Sequence, residues 1–149
     1  MSRETFTEMI EKNDFLEWAI VHSHLYGTSR FQVAQDVSQG RDIILEVDVQ
    51  GAASIRNLVS DAVSVFILPP SLEVLRQRLV ARGTDGPDEL EVRLRNAPEE
   101  LKAYKAFDYV IINEDVERAA SQLGAIIEAE RARLSRQEEN IKRVVKGFL

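Results

Sequence analysis

Residues 63–83 read VSVFILPPSLEVLRQRLVARG, and this stretch decides the class of fold. Its first six residues are all apolar except one serine, which is typical of a strand buried on both faces, and Pro69 and Pro70 end that strand. Ser71 is then placed to cap a helix that runs through Leu79, because its apolar residues recur every three or four positions. A strand followed at once by a helix predicts a β–α unit.

The same alternation continues on both sides of this stretch. Further strands are predicted at residues 15–21, 42–49 and 109–112, with helices before, between and after them, the last one starting at Asp115. A short turn is predicted at residues 26–29. Alternating strands and helices indicate an α/β fold with a parallel sheet covered by helices on both faces. Ligands of such sheets bind beyond the carboxyl ends of the strands.

Composition narrows the class of protein. The chain has 149 residues, no cysteine and a net charge of −6, and residues 1–75 carry 5 basic and 11 acidic side chains. An acidic first half argues against nucleic acid as a partner. No apolar run approaches the roughly 20 residues that a membrane span needs, and the N-terminus has no signal-peptide pattern. We therefore expect a single cytoplasmic domain without a nucleic-acid or membrane partner.

Two carboxylates end the predicted strand at 42–49. Glu46 and Asp48 are two residues apart, so both side chains point to the same face of a strand. Carboxylates in this place can hold Mg²⁺ through water, or accept hydrogen bonds from a base or hydroxyl. The alternative is that they cap the next helix or are simply solvated.

Arginines dominate the basic residues of the middle segment. Arg78 and Arg82 are four residues apart on one helical face, and Arg93 lies on the next helix, beyond a loop at residues 83–87. Guanidinium groups on a closing lid can stabilise a phosphoryl group in transfer. The alternative is a solvated helix with ion pairs such as Glu89–Arg93.

A third set of polar residues lies near the first strand. Glu17, Tyr26 and Thr28 supply a carboxylate, a phenol and a hydroxyl close to one turn. A carboxylate can accept two hydrogen bonds from a guanine edge, and the hydroxyls can reach a phosphate or a base. His22 and His24 have no third partner at metal-ligand spacing, so a zinc site is not expected.

Four segments together resemble the guanylate kinase family, in order and at that family's spacing. They are FLEWAIVHSHLYGTS (15–29), ILEVDVQGA (44–52), VFILPPSLEVLRQRLVARGTD (65–85) and YVIINEDVERA (109–119). The resemblance covers the chain from about Ser2 to Glu128 and implies a P-loop kinase-like fold. It also implies transfer of the ATP γ-phosphate to GMP with Mg²⁺ as cofactor, giving ADP and GDP.

The resemblance assigns roles position by position. In GMP binding, it makes Glu17 a reader of guanine, Tyr26 a contact to the GMP phosphate, Thr28 a hydroxyl beside the base and Glu46 a neighbour of guanine. On the ATP side, it places Asp48 at the Mg²⁺ shell, Arg78, Arg82 and Arg93 around the phosphates, and Asn113 near the adenine.

The chain also departs from the family pattern. Where the family reads H-G-N-Y-Y-G, residues 22–27 read HSHLYG, and no G-x-x-x-x-G-K-[ST] phosphate loop with its preceding strand is present. We therefore expect an N-terminally incomplete guanylate kinase with weakened GMP affinity and impaired turnover. The expected segments are a GMP-binding part at about 1–40, a core at 41–82 and 106–130, a lid at 83–105, and a basic helical tail at 131–149.

Two further expectations accompany this interpretation. Strand edges and apolar faces left without a neighbour would favour self-association of the chain. The alternatives to an enzyme are a non-catalytic guanylate-kinase-like binding module or an inactive relic. Retention of Asp48 together with the three arginines favours the enzyme.

Overall fold

The computed structural model describes residues 1–21, 24–83 and 86–149, which form two compact units, Met1–Ser64 and Val65–Leu149. The first unit contains, in chain order, α1 (Arg3–Glu11), β1 (Phe15–Val21), β2 (His24–Ser29), α2 (Arg30–Ser38) and α3 (Val49–Leu58). The second contains β3 (Val65–Leu68), α4 (Leu72–Arg82), α5 (Pro87–Leu101), a 3-10 helix (Lys102–Ala106), β4 (Tyr109–Ile112), α6 (Val116–Arg131) and α7 (Leu134–Lys146).

The first unit is built on an antiparallel hairpin. Strands β1 and β2 pair with Trp18 opposite Gly27, and α1 adds Phe6 to the apolar side of the hairpin. The rings of Phe6 and Phe15 stack with their centroids 4.4 Å apart, and Leu16 is also buried. These three apolar side chains form the core of this unit.

The predicted turn at residues 26–29 is wrong, because these residues belong to β2. Gly27, the residue that suggested a turn, lies in the strand for a packing reason. A Cβ atom there would come within 2.8 Å of Cδ1 of Phe15, so only glycine leaves room for the stacked rings. His22, the first residue of the histidine pair, lies outside the described residues, as does part of the loop at 83–87.

The predicted strand at residues 42–49 is also wrong. Residues 41–48 lie outside any helix or strand, and α3 begins at Val49. A strand needs a hydrogen-bonded neighbour, and none of the described strands pairs with this segment. Its apolar pattern is therefore not sufficient to form a strand.

The second unit holds the parallel part of the fold. Strands β3 and β4 pair in parallel with Ile67 opposite Ile111, and Ile111 is only 2% exposed. The single parallel sheet that the sequence predicted is thus replaced, in the described residues, by one antiparallel and one parallel pair. Helices on both faces stay a prediction, since Val110 and Ile112, on one face of β4, are about half exposed.

Capping residues define the start of several helices, among them Ser71, which the sequence predicted as a cap. Ser2, Ser29, Ser71 and Asp115 each accept a hydrogen bond from the backbone N–H three residues later. The predicted long final helix is divided into α6 and α7. Across the described residues, no helix is both long and apolar enough to cross a membrane.

Candidate functional site

The clearest polar pair in the first unit joins Glu17 and Thr28. The two residues are partners across the β1–β2 ladder, and both are half-buried. Oγ1 of Thr28 donates a hydrogen bond to Oε1 of Glu17 at 2.6 Å. Hydrogen bonds to an ionised carboxylate are short and stronger than neutral ones. The carboxylate of Glu17 is therefore fixed on the hairpin, where its other lone pairs can accept donors from a ligand.

Tyr26 lies on the same face of the hairpin as this pair. It is two residues before Thr28 in β2 and opposite Ala19 in β1, so the pleat places its side chain beside theirs. The Tyr26 side chain is 58% exposed. The structure thus brings a carboxylate, a hydroxyl and an exposed phenol onto one accessible surface, as the sequence predicted for Glu17, Tyr26 and Thr28.

Asp48 is a helix cap. It is the N-cap residue of α3, and its Oδ1 accepts a hydrogen bond from the N–H of Gly51 at 2.7 Å. This is the capping alternative that the sequence left open. Glu46 and Asp48 are both exposed. Leu45, just before Glu46, and Val47, between the two acidic residues, are half-buried, so the two carboxylates share the outer side of the segment.

The carboxylates of Glu46 and Asp48 are suited only to weak binding of a cation. Within 1–21, 24–83 and 86–149, no group of three acidic or histidine side chains could hold a metal. Magnesium ions often bind through one or two carboxylates while substrate phosphates and water supply the other ligands. Asp48 has a second carboxylate oxygen besides the capping one and is exposed, so it fits that mode.

Arg78 and Arg82 both lie on α4, in the second unit. Nη1 of Arg78 donates to the carbonyl oxygen of Asn113 at 2.8 Å, and Nη2 donates to that of Glu114 at 3.1 Å. Arg78 therefore clamps the chain just beyond the carboxyl end of β4. Arg82 is the last residue of α4 and is exposed, and Gly83 after it has φ of +64°, a left-handed conformation that suits glycine.

Arg93 and Asn113 complete the set that the sequence singled out. Arg93 is exposed on α5. Asn113 follows β4, and its N–H donates to the carbonyl oxygen of Leu68 at 2.8 Å, which extends the parallel ladder by one bond. Oδ1 of Asn113 is buried and has no hydrogen-bond partner among the described residues. A buried acceptor without a partner is costly, so it is a natural place for a ligand donor.

One polar cluster was missed by the sequence interpretation. Glu130 on α6 is only 6% exposed, and its Oε1 accepts a hydrogen bond from the Tyr109 hydroxyl at 2.6 Å. This hydrogen bond, together with burial, raises the pKa of Tyr109 above its ordinary value. Arg133 and Arg136 lie 3.4 and 3.8 Å from the same carboxylate. The signal was in the sequence, because Glu130 falls three residues after Ile127 on the apolar side of α6.

The predicted site residues fall into two sets. Those predicted for GMP and metal binding (Glu17, Tyr26, Thr28, Glu46 and Asp48) belong to the unit Met1–Ser64. Those predicted for the ATP phosphates and adenine (Arg78, Arg82, Arg93 and Asn113) belong to the unit Val65–Leu149. Each unit therefore presents its own group of polar side chains.

Comparison with known proteins gives a consistent result. The model of the family described as guanylate kinase matches residues 1–130. Guanylate kinase from Polaromonas sp. is 49% identical over 92% of this chain and 66% of the relative, and that from Thermotoga maritima is 40% identical over 99% and 73%. The crystal structure of guanylate kinase from Anaplasma phagocytophilum has a TM-score of 0.73 at 33% identity, and the match covers 91% of this chain and 66% of the other.

The fold is thus that of an α/β kinase with its polar groups at the hairpin face and beyond β4. The chain belongs to the guanylate kinase family. It spans about two thirds of the length of the curated relatives that it matches.

Proposed function

We propose that the chain acts in GMP phosphorylation, in which the γ-phosphate of ATP is transferred to GMP to give ADP and GDP. The observation that carries this proposal is the hydrogen bond from Thr28 to Glu17 on the hairpin of the first unit. A fixed carboxylate is what a guanine edge requires, because N1–H and the exocyclic amino group of guanine are adjacent donors. Adenine presents an acceptor at N1 and cannot make the same pair.

The remaining residues of the first unit would complete the acceptor site. The exposed phenol of Tyr26 is suited to a phosphate oxygen, and Glu46 to a further donor of the base. Asp48 would hold a divalent ion through water while its Oδ1 caps α3. We take the ion to be Mg²⁺, which would neutralise charge on the ATP phosphates when bound.

In the second unit, arginines would act on the phosphates of ATP. Arg82 and Arg93 are exposed guanidinium groups, and such groups stabilise the charge of a phosphoryl group in transfer. The buried Oδ1 of Asn113 can accept a hydrogen bond from the adenine amino group. Reaction between soluble nucleotides fits a cytoplasmic location.

Titration calorimetry with GMP and AMP tests the acceptor site. We expect GMP to bind at least about tenfold more tightly than AMP, because a hydrogen bond to a charged group contributes roughly 1.5–3 kcal/mol. Glu17→Gln should remove most of that preference. Glu11→Gln, at an exposed position on α1, is the matched control and should leave both affinities unchanged. Equal affinities for GMP and AMP in the unaltered chain would contradict the proposal.

A coupled assay with ATP, GMP and Mg²⁺ tests the phosphoryl-transfer step. Arg82→Ala should lower kcat by roughly 10²–10³, as loss of one charge-stabilising donor does in other enzymes. Arg76→Ala, on the same helix and equally exposed, should leave kcat within a factor of about two of the unaltered value. GMP binding without any turnover would instead support the binding-module alternative.

A further inference from the structure

Helix α7 has an apolar side that the described chain leaves open. Its apolar residues recur at spacings of three, four and seven, so they line one side of the helix. Leu134 is 71% exposed and Phe148, just after the helix, is 86% exposed. Three more side chains on this side are about half exposed: Ile141, Val144 and Val145.

The opposite side of α7 is basic. Residues 133–149 carry five basic and two acidic side chains, whereas the whole chain has a net charge of −6. Given 100° of rotation per residue, Arg136, Arg143 and Lys146 lie across the helix from the apolar residues, together with one acidic residue, Glu139. An exposed helix with a wide apolar side, a basic side and low mean hydropathy is typical of interfacial helices.

The first turn of α7 is held by polar contacts, whereas the residues after it are exposed. Glu130 on α6 pairs with Arg133 and Arg136, and Nε2 of Gln137 donates to the carbonyl oxygen of Arg131 at 2.8 Å. These contacts all involve the first turn of α7 or the residues just before it. The apolar residues from Ile141 onward therefore remain accessible on a helix with a fixed base.

Two occupants could cover this apolar side: a second copy of the chain or a lipid surface. Thirteen residues make a helix about 20 Å long and about 10 Å wide. Two such helices packed together bury only a few hundred Å² each, well below the roughly 800 Å² per partner of a stable interface. A bilayer needs no such area, because it accepts the apolar side chains in its acyl region and attracts the basic ones to anionic headgroups.

We propose that α7 binds the surface of an anionic lipid bilayer, with its axis in the plane of the interface. The apolar residues from Leu134 to Phe148 enter the acyl boundary, and Arg143 and Lys146 meet the headgroup phosphates. This surface is independent of the nucleotide site. It departs from the expectation of no membrane partner, which rested on the lack of a membrane-spanning apolar run and did not consider a helix that lies on the surface of a bilayer.

Vesicle flotation of the full chain tests the proposal, with vesicles of phosphatidylcholine alone or of phosphatidylcholine mixed with anionic phosphatidylglycerol, since anionic lipids attract basic segments. Binding should require the anionic lipid. Arg143→Glu with Lys146→Glu should weaken it at least about tenfold, because each basic residue near such a surface contributes about 1 kcal/mol, or roughly fivefold. Arg3→Glu with Lys12→Glu, at exposed positions at the start of α1 and just after its end, is the matched control and should not weaken binding.

A second pair of variants tests insertion of the apolar side. Phe148→Ser should reduce flotation with anionic vesicles at least about fivefold, whereas Phe31→Ser, 77% exposed on α2, should not. Sizing chromatography of the same samples measures association between copies. The proposal is overturned if anionic vesicles bind no more chain than neutral ones, or if Phe148→Ser abolishes a dimer and leaves flotation unchanged.

Discussion

Replacing Thr28 with valine should weaken GMP binding about fivefold and lower the stability of the hairpin without unfolding it. The substitution removes the hydroxyl that donates to Glu17 at 2.6 Å and keeps both the volume and the β-branched shape of the side chain. Without this bond, the half-buried Glu17 carboxylate can adopt other rotamers. Fixing one such side chain on binding costs roughly 0.5–1.5 kcal/mol, which is about 2- to 12-fold in affinity. The strands remain joined by their backbone ladder.

Titration calorimetry with GMP measures this loss, and thermal unfolding measures stability. Thr28→Ser is the control, because serine keeps the hydroxyl and should retain most of the affinity. Glu17→Gln combined with Thr28→Val should cost less than the sum of the two single effects, because the residues act as one pair. The reasoning fails if Thr28→Val binds GMP as tightly as the unaltered chain. It also fails if Thr28→Ser loses as much affinity as the valine variant.

Two other predictions concern stability and titration. Gly27→Ala should destabilise the chain by about 1–3 kcal/mol in denaturant unfolding, because its Cβ would lie 2.8 Å from the ring of Phe15. Gly124→Ala on α6, where nothing lies within 4 Å, should instead stabilise it by up to about 1 kcal/mol, and equal effects would refute the packing argument. In an ultraviolet pH titration, the Tyr109 hydroxyl should ionise above the ordinary tyrosine pKa of 10.0. The stability that the hydrogen bond to Glu130 contributes is therefore fully present below pH 10.0 and is lost as the pH rises through the raised pKa of Tyr109. Glu130→Ala, which removes the acceptor, should bring that ionisation back toward its ordinary pH, and no change would show that the hydrogen bond is not the cause.

Local features of the fold were predictable because they depend on neighbouring residues only. Ser71 was predicted as a cap from its position before a periodic apolar run, and it caps α4 in the structure. Asp115, predicted as the start of the last helix, is the N-cap residue of α6. The strand at residues 109–112 was predicted with its observed bounds. A cap depends on residues within about one turn of its helix, so the pattern suffices for it. The strand at residues 109–112 also needed β3 as its paired neighbour.

Features that depend on distant partners were not predictable in the same way. Residues 42–49 have the composition of a buried strand, yet strand formation requires a paired neighbour, which the pattern cannot supply. Gly27 suggested a turn, but glycine is needed there because the ring of Phe15 leaves no room for a Cβ atom. That contact is made across the hairpin, so the residues next to Gly27 do not reveal it. The buried role of Glu130 likewise depends on Tyr109, which is 21 residues away.

For Arg78, the role implied by the family resemblance differs from the contacts that the side chain makes in the structure. The resemblance places it at the ATP phosphates, while the structure has two of its five N–H donors bound to the carbonyl oxygens of Asn113 and Glu114. Three donors remain, so the two roles are compatible: the guanidinium can hold the segment that carries Asn113 and still offer N–H groups to a phosphate. Lysine could not do both, because one ammonium cannot span two carbonyls in a fixed plane and also donate outward. An arginine at this position thus suits the clamp beyond β4 as well as the phosphate contact that the resemblance implies.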